Sequence, residues 1–218
     1  MNRDFWISKW LKGETGFHQD EINSYLKKYW PELGLEKGAL VLVPLCGKSR
    51  DMLWLAEEGH SILGVELSTL ACNAFFAENK LPFTPKRGDC FISYQCDEVT
   101  ILCGDFFDLT ADDLKGIKAV YDRASLIALP PEMRERYALH LKKNLPQNVP
   151  ILLLTLSYPE GEMNGPPFSI PAKEVERLYS DEFHVNEVWS REIIDEEPLF
   201  KSRGLTSLVE KVFILKPQ

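Results

Sequence analysis

The chain contains no run close to the roughly 20 apolar residues that a membrane-spanning helix needs, so no segment of its 218 residues reads as a bilayer span. The start, Met1-Asn2-Arg3-Asp4-Phe5-Trp6, has no apolar core of a secretory signal. Positive charge is scarce as well. Against 33 Asp and Glu there are only 25 Lys and Arg, a formal charge of -8, which repels nucleic acid backbones and acidic lipid surfaces and excludes a polyanion partner. No CxxC pair occurs among the five cysteines, Cys46, Cys72, Cys90, Cys96 and Cys103. An odd, unpaired set fits a reducing cytoplasm. A zinc site from Cys90, Cys96 and Cys103 matches none of the usual ligand spacings, so these are read as plain thiols and no metal is expected. With no low-complexity stretch or internal repeat, residues 1–218 are expected to form one domain with one active site, acting as a monomer.

The glycine-rich fingerprints of phosphate binding are missing too. Neither GxGxxG nor GxxxxGK[ST] occurs at the first strand-to-helix turn, Pro44-Leu45-Cys46-Gly47-Lys48-Ser49. Pyrophosphate needs several glycine-exposed amides at a helix start, whereas a nucleoside cofactor without pyrophosphate needs only one close backbone approach, which Gly47 can supply. This argues against a nicotinamide-dependent oxidoreductase.

What is present is an alternation of strands and helices. Ala39 to Leu45 is apolar on both faces, and Ser49 reads as the cap of a helix with a Met52, Leu53, Leu55, Ala56 stripe ending at Gly59. Ser61 to Leu67 repeats the strand, and Ser68 caps a helix whose buried side is read as Leu70, Ala71, Ala74 and Phe75. Further strands are expected at Val99 to Cys103, Ile117 to Tyr121 and Ile151 to Leu156, with a helix from Pro131 to about Leu145. A hairpin is expected around Cys96-Asp97-Glu98, and antiparallel strands near Val185 to Arg191 and Ser207 to Leu215. The fold expected is an α/β doubly wound, Rossmann-like sheet, mostly parallel with an antiparallel C-terminal strand and helices on both faces. Ligands in such sheets bind at the carboxyl ends of the central strands.

Those ends carry the candidate chemistry. Glu66 lies about 19 residues beyond Gly47, where nucleoside-binding α/β proteins place a ribose-accepting carboxylate, although a solvated strand end would look the same. Gly104 and Asp105 follow the third strand next to Phe106, as an adenine-reading turn or a helix cap. Asp122 and Arg123 follow the fourth, as a substrate-facing pair or a surface ion pair. Before the first strand come Phe5, Trp6, Trp10, Phe17, Tyr25, Tyr29 and Trp30. Tyr25, Tyr29 and Trp30 fit a helix packed on the sheet, while Trp6, Trp10 and Phe17, flanked by Gly13 and Gly16, fit a water-excluding cover within a lid at residues 1–35.

Taken in order, Trp6-Ile7-Ser8-Lys9-Trp10, Gly16-Phe17-His18-Gln19, Pro44-Leu45-Cys46-Gly47-Lys48, Gly64-Val65-Glu66, Asp122-Arg123, Leu156-Ser157-Tyr158 and Gly165-Pro166-Pro167-Phe168 resemble thiopurine S-methyltransferases over nearly the whole chain. The resemblance implies a class I methyltransferase fold that uses S-adenosyl-L-methionine, with Trp10, Leu45, Glu66 and Arg123 touching the cofactor. Gly104 and Asp105 are then expected against the adenine, with Gly47 giving the close backbone approach. Phe17 is the acceptor-side aromatic, with Trp6 beside it. The partner implied is a small-molecule thiol. Arg123 is expected to stabilise its thiolate, with Asp122 or His18 as candidates to take a proton. Arg203, in a segment that aligns loosely, is assigned no role. The alternatives are a halide or thiol methyltransferase, a selenium or tellurium oxyanion methyltransferase, and a non-catalytic ligand-binding module.

Overall fold

In the computed structural model, residues 3–16 and 18–218 are described, and they fall into two compact units. The first comprises the described residues through Tyr121 together with Asn144–Pro146; the second comprises Asp122–Lys143 and Gln147–Gln218.

In the first unit, helices α1 (Arg3–Leu11) and α2 (Ser24–Tyr29) precede strand β1 (Leu40–Val43). Then come α3 (Asp51–Glu57), β2 (Ser61–Glu66), α4 (Thr69–Glu78), β3 (Lys86–Arg87), β4 (Ile92–Cys96), β5 (Val99–Cys103) and β6 (Ile117–Arg123), the last two residues of β6 belonging to the second unit. The strand order is β3-β4-β5-β2-β1-β6. Strands β5, β2, β1 and β6 run parallel, and β4 and β3 fold back antiparallel. From β1 the chain winds outward to β2 and β5, then returns to β1's other side as β6. That reversal is a topological switch point, where parallel sheets open a crevice at their carboxyl ends. The apolar runs are apolar for a reason: Val41, Leu42, Val65 and Ile101 are fully buried, as strands covered on both faces require.

The expected hairpin is present, with Asp97 in the left-handed conformation (φ 47°) between the paired Cys96 and Val99. Ser68 caps α4 through its hydroxyl, which accepts from Ala71 N. Two expectations need correction. Helix α3 starts at Asp51 after Arg50, and the Ser49 hydroxyl accepts from Asp51 N at 3.3 Å. On α4 the buried stripe is Ala71, Cys72, Phe75 and Phe76, while Leu70 is 45% exposed.

The N-terminal residues are tied to this unit by buried polar contacts. Asn23 caps α2 with its side chain and donates its own N–H to Asp51 Oδ1 at 2.9 Å. Tyr121, in β6, donates its hydroxyl to Asp51 Oδ2 at 3.0 Å. Trp30 donates Nε1–H to His60 Nε2 at 3.0 Å. Tyr29 and Trp30 are buried as expected of a packed segment, and Tyr25 is half-buried.

The second unit holds α5 (Pro131–Asn144), β7 (Ile151–Ser157), α6 (Ala172–Tyr179), β8 (Phe183–Glu192), α7 (Pro198–Ser202) and β9 (Val209–Pro217). Its strands run β7-β9-β8, antiparallel throughout, with a bulge in β8 between Glu187 and Trp189. Tyr137 of α5 and Tyr179 of α6 are fully buried, as are Leu152, Leu153 and Val212. A smaller apolar cluster, Tyr158, Ile193, Ile194, Leu205 and Leu208, lies under α7.

Candidate active site

The turn after β1 is held open by two left-handed residues, Leu45 (φ 46°) and Gly47 (φ 55°). Gly47 favours that conformation, and an added Cβ would lie 3.3 Å from the Trp10 ring of α1, which would have to yield by a few tenths of an ångström. The buried Gly47 N–H donates to Glu66 Oε2 at 2.9 Å, and Ser68 N–H donates to Glu66 Oε1 at 2.7 Å. Leu67 N–H also faces this carboxylate. One glutamate thereby ties the end of β2 to the turn after β1 and to the start of α4. It is 6% exposed, so the solvated-strand-end reading fails. Burial pushes its carboxyl up to about 7, against the lowering effect of the three amides.

Next along the sheet, Gly104 N–H donates to Glu66 O at 2.9 Å, which places the end of β5 beside that of β2. A Cβ at Gly104 would lie 2.5 Å from Phe91 Cδ1 and 2.9 Å from Cys90 O, so only glycine fits there. Asp105 caps the short 3-10 turn that follows, its Oδ1 accepting from Phe107 N at 3.0 Å, with Phe106 buried beneath. The cap reading of Asp105 therefore holds whatever else the residue does. Around this hub lie three thiols: Cys46 next to Gly47, and Cys72 and Cys103, which hydrogen-bond to each other. Burial and the neighbouring Glu66 carboxylate push the Cys46 thiol well above its ordinary value.

In the second unit, Asp122 is fully buried, with Oδ2 accepting from the Tyr137 hydroxyl at 2.7 Å and Oδ1 from Leu126 N at 3.2 Å. Ser125 donates to the same carboxylate from its main chain and its hydroxyl. Burial raises Asp122 to about 6, and these donors pull the other way. Arg123 is half-buried, and Ala124 after it is left-handed (φ 63°).

Of the residues singled out from the sequence, the first unit brings Trp10, Gly47 and Glu66 into direct contact or hydrogen bonding, with Leu45 in the same turn and Gly104 bonded to the Glu66 carbonyl. Trp6 is half-buried on α1, which has no fully buried residue. Phe17 lies outside the described residues. His18 is half-buried with Nε2 at 3.5 Å from Asp20 Oδ1. Arg203 is exposed, its guanidinium 5.8 Å from the Phe200 ring. Sequence reasoning missed Asp51, Ser125 and Tyr137. An Asp in a helix's first turn reads as a dipole partner, and a Tyr in mid-helix reads as core. Neither letter announces the buried partner that the fold supplies.

A thiopurine S-methyltransferase family model matches residues 1–218. The chain belongs to this family. Thiopurine S-methyltransferases of Nitrosospira multiformis and Pseudomonas entomophila are each 49% identical to it, over 99% of this chain and 98% and 99% of their own lengths. Among solved structures, an S-adenosylmethionine-dependent methyltransferase from Anabaena variabilis shares the fold at 14% identity, with a TM-score of 0.69 over 100% of this chain and 96% of that one. So does the 1,6-didemethyltoxoflavin-N1-methyltransferase of Burkholderia thailandensis, solved with S-adenosylhomocysteine, at 16% identity and TM-score 0.62 over 99% and 87%. The chain is a methyltransferase of the class I fold that uses S-adenosylmethionine. Its residues fit that cofactor. An ionised carboxylate offers roughly four lone-pair sites, and three amides face Glu66, so capacity remains for a ribose hydroxyl. The turn beneath Trp10 has no glycine-rich pyrophosphate cradle.

Proposed function

We propose that this thiopurine S-methyltransferase family member methylates the sulfur of thiopurines and related aromatic or heterocyclic thiols. The observation that carries the reading is the Glu66 hub. It builds a nucleoside site from one carboxylate, one glycine turn and one tryptophan, in a chain whose relatives at 49% identity are named for this reaction. When bound, S-adenosylmethionine supplies a methyl group on a sulfonium, which an acceptor thiolate attacks in line.

The chain's own residues then have three tasks. Glu66 fixes the ribose, with Trp10, Leu45, Gly47, Gly104, Asp105 and Arg123 as the other cofactor contacts. Trp10, with Trp6 and Phe17 in the lid of residues 1–35, excludes water and presents aromatic surface to a flat acceptor. Sulfonium and thiolate both lose charge on the way to products, so a poorly hydrated surround lowers the barrier relative to water. Arg123 holds the thiolate by charge and by its planar fork. Ring-attached thiols are acidic enough to ionise near neutrality, so the site needs no strong base.

The test is methyl transfer from labelled cofactor to a thiopurine, to hydrogen sulfide and to selenite, side by side. The reading expects the highest kcat/KM on the thiopurine. A preference for hydrogen sulfide or selenite would transfer the chain to the thiol or chalcogen alternatives, and no turnover with intact cofactor binding would make it a binding module.

A further inference from the structure

We propose that Asp122 is a positioning residue: it holds the turn that presents Arg123, and it neither touches the acceptor nor takes a proton. The inference rests on the reading that Arg123 serves the acceptor thiolate.

Three observations carry it. First, Asp122 is fully buried, so neither solvent nor an acceptor reaches its oxygens. Second, the Tyr137 hydroxyl, Leu126 N–H, and the main-chain and hydroxyl groups of Ser125 all donate to it. Both oxygens are thus engaged, Oδ2 by Tyr137 and Oδ1 by Leu126, with Ser125 held against the same carboxylate. To act as a base it would have to break the 2.7 Å bond from Tyr137 and accept a proton with no route out.

Third, the backbone between these bonds is strained. Ala124 is left-handed, a conformation that disfavours any residue with a Cβ, and it sits between Arg123 and the Ser125 and Leu126 groups that Asp122 grips. The short 3-10 turn at Leu126–Ala128 begins directly after. The carboxylate thus compensates locally for a turn that would otherwise relax, and relaxation would re-aim the residue at its entrance. Tyr137 comes from the middle of α5, so the hold is anchored in a packed helix rather than in the loop itself.

The experiment compares Tyr137→Phe, Ser125→Ala and Asp122→Asn in the full chain. It reads the melting temperature, cofactor affinity, kcat and KM on a thiopurine across the active pH range, and the nitrogen-edited Nε–H resonance of Arg123. The expected result is near-parental cofactor affinity, a loss in kcat of roughly tenfold to a hundredfold, as for a misplaced catalytic group, and an unchanged shape of the pH profile. Tyr137→Phe should share the loss, and the Arg123 resonance should shift or broaden in each variant that loses activity. The proposal is overturned if Asp122→Asn abolishes turnover and removes an ionisation from the kcat profile while Tyr137→Phe is silent, for that is a base. Parental kcat and an unchanged Arg123 resonance in Tyr137→Phe and Ser125→Ala would also overturn it, leaving a residue that serves the fold alone. Those two variants keep the test decisive if Asp122→Asn fails to fold. The resonance requires no acceptor, so a wild-type protein inactive on thiopurines would refute the substrate reading without touching this one.

Discussion

Replacing Glu66 by glutamine and following stability against pH turns the site's central residue into a titration. In the folded, ligand-free protein the Glu66 carboxyl rises from its ordinary 4.5 to about 7 because it is buried. Between those two values the native state keeps the proton that the unfolded chain gives up. Stability therefore falls as pH rises across this window and becomes level above it. About 2.5 units at roughly 1.4 kcal/mol each make the loss about 3 kcal/mol. Little solvent screening applies at 6% exposure. The glutamine side chain would forfeit one acceptor oxygen, but that loss does not depend on pH. The quantity to measure is thus the difference in unfolding free energy, wild type minus Glu66→Gln, by denaturant titration at a series of pH values without cofactor. It should drop by about 3 kcal/mol from near pH 4.5 to near pH 7. Asp122, raised in the same direction, is common to both proteins and cancels. On the proposed ribose contact, cofactor affinity of the wild type should strengthen over the same window, because a hydroxyl donates to the ionised carboxylate. A constant difference at all pH values would mean that Glu66 is ionised throughout, and the desolvation argument would be wrong.

Gly104→Ala drives a methyl into the Phe91 ring and the Cys90 carbonyl. It should cost about 1–3 kcal/mol of stability, and an unchanged denaturation midpoint would show that the strand end yields freely. Arg123→Ala should lower kcat/KM on a thiopurine by about 2–4 kcal/mol of transition-state stabilisation, with Lys restoring only part. Separate calorimetry of cofactor binding distinguishes an acceptor role from a cofactor role, and parental kinetics would reduce Arg123 to a structural residue. Trp30→Phe removes the donor to buried His60 Nε2, an expected loss of about 1–3 kcal/mol. An unaltered melting curve would show that bond to be idle.

How much of this was written in the letters varies by element. Strand β5 and the Asp97 turn were legible because a short β-rich run and a polar pair leave few alternatives. Helix α4 shows where periodicity stops. Leu70, Ala71, Ala74 and Phe75 make as regular a stripe as Ala71, Cys72, Phe75 and Phe76, rotated by one residue. The choice turns on reading Cys72 as a hydrophobe that packs against Cys103, which only the assembled sheet reveals. Glu66 was legible as a candidate site carboxylate by its spacing from Gly47, yet its bonds to three amides were not, since they depend on the left-handed turn. Asp122 was the hardest. Beside an arginine it reads as half of an ion pair, and its burial is set by Ser125 and by Tyr137 15 residues on.

The thiols around Glu66 bear on a hazard that comes with the chemistry. A protein that stores an alkylating agent must not offer it a nucleophile better placed than the intended acceptor. Cys46 stands in the same turn as Leu45 and Gly47. Thiols react as thiolates, and burial beside a carboxylate suppresses that form at Cys46. Cys72 is held back by its Cys103 partner and by burial, and the same pairing lowers the Cys103 thiol. Cys90 alone of the five is exposed. Burial and the Glu66 carboxylate together thus keep the neighbouring Cys46 sulfur in its unreactive thiol form.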